Sequence, residues 1–115
     1  MTGFKDLIVW QKGIELVKNI YEITKSFPKE ELYGLSSQMR RCVISIPSNI
    51  AEGVRRRHRK EYKQFIHISL GSSGELETQI IIAKELGYID EAQKSNLSEL
   101  IDHICRMLVS LSKKL

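Results

Sequence analysis

Six consecutive residues, Arg55-Arg56-Arg57-His58-Arg59-Lys60, carry the densest charge in this sequence. Guanidinium groups match phosphate oxygens bidentately, and neutralising phosphates releases counterions, so such a run suits a nucleic-acid backbone. A solvated charged turn is the structural alternative. The surroundings sharpen the signal. Residues 40–63 hold eight Lys and Arg against two carboxylates, Glu52 and Glu61, a formal +6 in a chain whose total is +4. The remainder sums to −2, so the basicity is local. Arg55, Arg56, Arg57, Arg59, Lys60 and Lys63 are the candidate contact surface for structured RNA or another nucleic acid. No aromatic interleaves the run, so stacking on single-stranded bases has little support.

Arg40 and Arg41 lie among Met39, Cys42 and Val43, so at least one guanidinium must point partly inward. Glu75 and Glu77 are the natural partners, within the chain or between subunits, and such a pair fixes register more than it stabilises. Direct ligand contact is the other reading. Other chemistry finds little support. His58, His67 and His103 show no metal-ligand spacing, and Cys105 two residues after His103 is no zinc pattern, so neither metal nor cofactor is expected. A serine or cysteine nucleophile needs a base and an oxyanion site, and nothing in the sequence places a serine beside a histidine. The segment GSSGELE lacks the Gly-Lys-Ser/Thr ending and the preceding strand of a phosphate-binding loop. The chain therefore reads as a non-enzyme. Cys42 and Cys105 sit among apolar residues and read as free buried thiols; a disulfide would need an oxidising compartment.

Helices must position these groups, because apolar residues recur at steps of three and four and no useful β-alternation occurs. In the first helix Leu7, Trp10, Ile14, Val17, Tyr21 and Thr24 form one seam, and Leu16, Ile20, Ile23 and Phe27 a second. A stripe this wide faces the core on more than one side. Asp6 suits its N-terminal end and Pro28 stops it. Residues 28–35 connect to a second helix capped near Ser36 or Ser37, with Met39, Cys42, Val43, Ile46 and Ile50 on one face; Gly34 is expected to take a special backbone angle. Pro47 inside it predicts a kink with Asn49 as the hydrogen-bonding remedy, and Gly53 predicts its end. The basic run leads into a third helix from about His58 to Leu86, roughly 40 Å long at 1.5 Å per residue. Its centre, Ser69 to Gly74, either admits a close helical neighbour or breaks the element in two, since each glycine costs about 1 kcal/mol. Gly87 ends it, and Asp90 with Gln93 resembles a capping box. Leu97, Ile101, Ile104, Leu108, Leu111 and Leu115 stripe the fourth helix. Short loops between long helices predict an all-α, up-down-up-down antiparallel four-helix bundle.

The 115 residues suit one domain over 1–115, with a folded surface of about 6,400 Å² by size scaling. A long thin bundle exposes more, which self-association would recover. Hydrophobic content of 42% and charged content of 28% are those of a globular chain. No run of 18 apolar residues exists, so no membrane-spanning helix is expected. MTGFKDLIVWQKG is not patterned as a signal peptide, which makes cytoplasmic residence the expectation.

Several motifs together resemble the bacterial four-helix bundle family also called the 23S rRNA intervening-sequence protein family. They are Phe4-Lys5-Asp6-Leu7 with Val9-Trp10-Gln11-Lys12, then Phe27-Pro28, Glu31, Tyr33-Gly34-Leu35, Gln38 and Arg40-Arg41. The most specific are Ser45-Ile46-Pro47-Ser48-Asn49-Ile50-Ala51-Glu52-Gly53 and Gly71-Ser72 with Glu75-Leu76-Glu77-Thr78-Gln79. The likeness covers about residues 4–90; the last helix matches only in apolar pattern, and Cys42 and Gly13 stand where alanine is more usual. The resemblance implies a bundle assembling as a homopentameric ring with a central channel. It also implies kinship with the accessory variability protein of diversity-generating retroelements, a basic pentamer working with a reverse transcriptase and its RNA. It carries over no catalytic residues. The expected partners are therefore further copies of the chain and RNA or DNA, with an acidic protein partner of a scaffold as the alternative, and no membrane.

Overall fold

The computed structural model describes residues 3–115, most of them in four α-helices: α1, Ile8–Thr24; α2, Leu35–Arg55; α3, Arg59–Glu85; and α4, Glu91–Lys113. Short 3-10 turns at Phe4–Asp6 and Lys29–Glu31 precede α1 and α2. Each helix packs on its chain neighbours, α1 closes the ring by meeting α4 along the thinnest seam, and α2 and α3 share the most extensive one. The result is the expected antiparallel four-helix bundle, 43 × 24 × 21 Å. Its exposed surface of 7,173 Å² exceeds the value expected for a compact chain of this mass, as the elongated shape requires.

The predicted apolar positions Leu16, Ile20, Met39, Ile46, Ile104 and Leu108 are wholly buried, and α3 adds Leu76 and Ile80 together with Ile66, which lies outside the expected stripe of Tyr62, Phe65, Ser69, Ser72, Leu76, Ile80 and Ala83. In α1 the inner seam is Val9, Gly13, Leu16, Ile20 and Thr24, while Leu7, Trp10 and Val17 pack half-buried at its edge. Glycine at 13 brings α1 onto α2, since a Cβ there would lie 3.2 Å from Pro47 Cβ.

Several local expectations are corrected. Gly34, not Ser36 or Ser37, is the N-cap of α2. The side chain that serves this end comes from outside the helix: Glu31 Oε1 accepts from the Leu35 N–H at 3.0 Å. Gly34 has φ −112°, and a Cβ on it would sit 2.7 Å from that carboxylate oxygen. Gly53 does not end α2, which continues to Arg55. It lets α3 approach, because a Cβ would come 3.0 Å from both Phe65 Cβ and Tyr62 Cδ1. Pro47 leaves the Val43 carbonyl without its helical donor, but Asn49 Nδ2 donates to Ser45 O at 2.7 Å, so Asn49 is not the remedy at that carbonyl.

α3 runs unbroken through Ser69 to Gly74. The serines face α2: Ser69 donates to Ile46 O at 2.9 Å, and the Ser45 and Ser72 hydroxyls meet at 2.7 Å. Gly71 and Gly74 face open space, with nothing within 4 Å of where a Cβ would stand. α3 ends as expected at Gly87, whose φ is +82°. Tyr88 N–H donates to Ala83 O and Gly87 N–H to Lys84 O, a complete Schellman closure. α4 opens with the predicted capping box, Gln93 N–H on Asp90 Oδ1 at 2.7 Å and Asp90 N–H on Gln93 Oε1 at 2.9 Å.

Candidate nucleic-acid interface

The basic run forms the corner where α2 passes into α3, and six candidate side chains are exposed there, but they are not equivalent. Arg55 closes α2 and lies over the Phe4 ring, 5.4 Å from Cζ to centroid. Phe4 in turn packs edge-on against Trp10, so Arg55 ties the start of the chain to α2. Arg56 lies over Phe65 at 5.0 Å and pairs with Glu52 at 3.5 Å. Arg57, Arg59, Lys60 and Lys63 make no ion pair within 4.0 Å among the described residues. They are the four with neither an ion pair nor an aromatic ring beneath them among the described residues.

Arg59 and Lys60 occupy the first turn of α3, whose N-cap His58 makes no side-chain capping bond. Two cations at the positive end of a helix are unfavourable by a few tenths of a kcal/mol each when exposed, and the first-turn N–H groups are left to solvent. A phosphate oxygen placed there would relieve both. The up-down topology enlarges this end. The start of α1 and the finish of α4 lie beside the corner, so residues 3–12, 49–67 and 103–115 together hold eleven Lys and Arg against three carboxylates. The rest of the chain sums to −4. A cavity of about 600 Å³ opens at this end between α1 and α4, with Leu7, Val9, Met107 and Leu111 as its apolar floor and Arg106 and Lys114 on its rim.

The pairing expected of Arg40 and Arg41 with Glu75 and Glu77 does not form within the chain: no ion pair joins them among the described residues. Arg40 turns toward α1 instead, donating from Nε to Thr24 Oγ1 at 2.9 Å and lying over Tyr21 at 4.7 Å. Arg41 and Glu75 are exposed and Glu77 half-buried.

Cys42 donates its S–H to Ser72 O at 3.2 Å, and burial with the neighbouring Glu75 carboxylate pushes its thiol up to about 12. It is no nucleophile at neutral pH. Both cysteines are free thiols, Cys42 buried as expected and Cys105 only half-buried. A serine does meet a histidine, contrary to expectation: Ser112 Oγ and His67 Nε2 are 3.2 Å apart, joining α4 to α3. Their separation of 45 positions hid the pair from any local pattern. Ser112 is buried within a helix, and no carboxylate bonds to His67 among the described residues, so the pair lacks the orienting acid and oxyanion donors of a nucleophilic triad. No group of three or more His, Cys, Asp or Glu among the described residues is arranged to hold a metal ion, and no helix of the described chain is long and apolar enough to cross a membrane.

A family model described as 23S rRNA-intervening sequence protein matches residues 5–110. Among solved structures, the chain is similar to a protein of unknown function from the S23 ribosomal protein family of Bacteroides thetaiotaomicron VPI-5482. The TM-score is 0.85 at 23% identity, over 92% of this chain and 99% of that one. No curated protein matches the chain significantly.

Proposed function

The chain belongs to the 23S rRNA-intervening sequence protein family, and from that premise we propose that it is a non-enzymatic, self-associating bundle that binds structured RNA, or another nucleic acid, through its basic end. The observation that carries the reading is the corner itself: Arg57, Arg59, Lys60 and Lys63 exposed and free of ion pairs beside the uncapped start of α3. Nothing in this set discriminates bases. It suits the regular phosphates of a folded RNA, which position a protein without specifying sequence.

Self-association draws support from the apolar surface one chain leaves open. Trp10, Ile14, Val17, Ile44, Pro47 and Ala51 line a groove between α1 and α2, while Ile68, Ile81 and Ile82 are exposed on α3. Two different apolar faces suit a head-to-tail contact, which gives a ring when the rotation between copies closes; the ring proposed is the homopentamer, with the exposed Arg41 and Glu75 as its intersubunit pair. Each copy would add one basic end to the same assembly.

The test is binding of a labelled structured RNA and a duplex DNA across a salt series, for wild type and an Arg57→Ala/Arg59→Ala/Lys60→Ala variant of matched oligomeric state. The slope of log affinity on log salt is expected to flatten in the variant by up to about 0.9 per lost duplex-phosphate contact. An Arg55→Ala/Arg56→Ala variant is expected to change it less. Equal slopes in wild type and the triple variant would remove the corner as the site. The cavity between α1 and α4 favours a second reading, a scaffold for an acidic protein segment, which predicts no nucleic-acid binding even at about 50 mM salt.

A further inference from the structure

We propose that the pocket between the end of α1 and the start of α2 binds a small phosphate ester, the phosphate at Ser36 and Arg40 and the organic part against Phe27 and Leu32. The pocket measures about 350 Å³ and lies at the other end of α2 from the basic corner, roughly 30 Å away along the helix. Three cations line it, Lys25, Lys29 and Arg40, and no carboxylate does.

Its polar floor is built rather than incidental. Ser36 lines the pocket, is 4% exposed, and its hydroxyl has no hydrogen-bond partner among the described residues. The hydroxyl is therefore open to the pocket it lines, where a bound oxygen would take the place of water. Arg40, one helical turn on, shares the face of Ser36. Its guanidinium is held by the bond from Nε to Thr24 Oγ1 and by the Tyr21 ring, which leaves its two terminal nitrogens without a hydrogen bond or ion pair among the described residues. Thr24 is itself buried and anchored, donating to Ile20 O at 2.7 Å. A guanidinium fixed in place loses little freedom when it engages two oxygens of one phosphate.

The start of α2 adds donors. No side chain of its N-cap bonds back, and the first backbone bond of the helix is from Gln38 N–H to Gly34 O, so the Ser36 and Ser37 N–H groups have no backbone acceptor. Anions are favoured at such an end. The opposing groups are accounted for. Glu31 is turned to the Leu35 N–H and the Tyr88 hydroxyl, while Glu22 pairs with Lys25 at 3.3 Å on the surface, a pair the phosphate must compete with, so Lys29 and Arg40 are the cations without a carboxylate partner among the described residues. The last carbonyls of α1 are occupied: Ile23 O accepts from Ser26 and Thr24 O from Phe27. Buried Phe27, Pro28 and the largely exposed Leu32 form the apolar wall. An inorganic phosphate would leave that wall uncovered, which is why an ester is favoured.

The experiment is a titration of the isotopically labelled full chain, followed by amide resonances, with inorganic phosphate and separately with adenosine 5′-monophosphate. Saturable shifts centred on Ser36, Ser37 and Arg40 are expected with both, tighter for the ester. Equal affinity would keep the site and assign it to the free anion. A Lys25→Gln/Lys29→Gln variant, altered only at exposed positions, is expected to bind roughly tenfold more weakly, and Ser36→Ala several-fold. The Arg57→Ala/Arg59→Ala/Lys60→Ala variant should bind as wild type does, so this site stands or falls apart from the nucleic-acid reading. Absence of saturation, shifts confined to residues 57–63, or undiminished binding in the Lys25→Gln/Lys29→Gln variant would overturn the proposal.

Discussion

Glu31 holds the α1–α2 connection to the α3–α4 turn, accepting from the Leu35 N–H at 3.0 Å and from the Tyr88 hydroxyl at 2.8 Å. The backbone bond is the larger cause, and the tyrosine the second, of a carboxyl held below its ordinary value of 4.5. The depressed value fixes the sign of its pH dependence. The contribution is fully present above the unfolded-state value and is lost as pH falls through the folded one. Glu31→Gln mimics the protonated carboxyl, so its melting temperature should lie below wild type near about pH 7, with the gap narrowing as pH falls below the ordinary glutamate value. A gap independent of pH would mean the charge contributes nothing. The same two hydrogen bonds explain why the start of α2 was misjudged from sequence. Ser36 and Ser37 are good caps by type, but a carboxylate four residues before the helix already serves the first N–H. Likewise, only the placement of Phe4 and Phe65 separates Arg55 and Arg56 from the free cations of the corner.

At the scale of elements, three helical glycines of one chemistry should respond oppositely to alanine. Gly53 is pressed by Phe65 and Tyr62, including the Tyr62 carbonyl 3.3 Å from an added Cβ. Gly53→Ala forces α2 and α3 apart at the foot of the interface corner, at about 1–3 kcal/mol, against about 1 kcal/mol gained in helix propensity. Net destabilisation of up to about 2 kcal/mol is expected in urea denaturation. Gly71→Ala and Gly74→Ala meet nothing and should stabilise the isolated chain by about 0.5–1 kcal/mol each. A stabilised Gly53→Ala would show that the neighbours yield easily; destabilised Gly71→Ala or Gly74→Ala in a monomeric sample would show that the outer face of α3 is not open. The difference marks what a sequence can and cannot state. Apolar period, the Asp90–Gln93 box and the Gly87 closure depend on near neighbours and were legible. The role of Gly53, the inward turn of Arg40 and the meeting of Ser112 with His67 depend on partners 9 to 45 residues away, and no local pattern encodes them.

For the whole molecule, the up-down-up-down path gathers cations from three separate stretches of sequence onto one end, and leaves Ile44, Ile68, Ile81 and Ile82 on its flanks. If copies associate through those flanks, basic ends are repeated side by side, and a folded RNA meets several corners at once. The advantage of such repetition is geometric: the second contact is intramolecular, so avidity can exceed the affinity of one corner by about two orders of magnitude or more. Ile44→Glu separates this from chemistry at the corner. The side chain lies in the α1–α2 groove, 41% exposed and remote from the basic run, so the charge should spoil association while the helical content of the chain is kept. In sedimentation the wild type is expected above, and the variant at, the 13.3 kDa of one chain. A long structured RNA should then bind the variant at least about a hundredfold more weakly, with a shallower salt slope, while a duplex too short to bridge two corners binds both alike. A wild type that sediments as one chain at binding concentrations would end the assembly reading. Dissociation without loss of RNA affinity would show instead that each corner works alone.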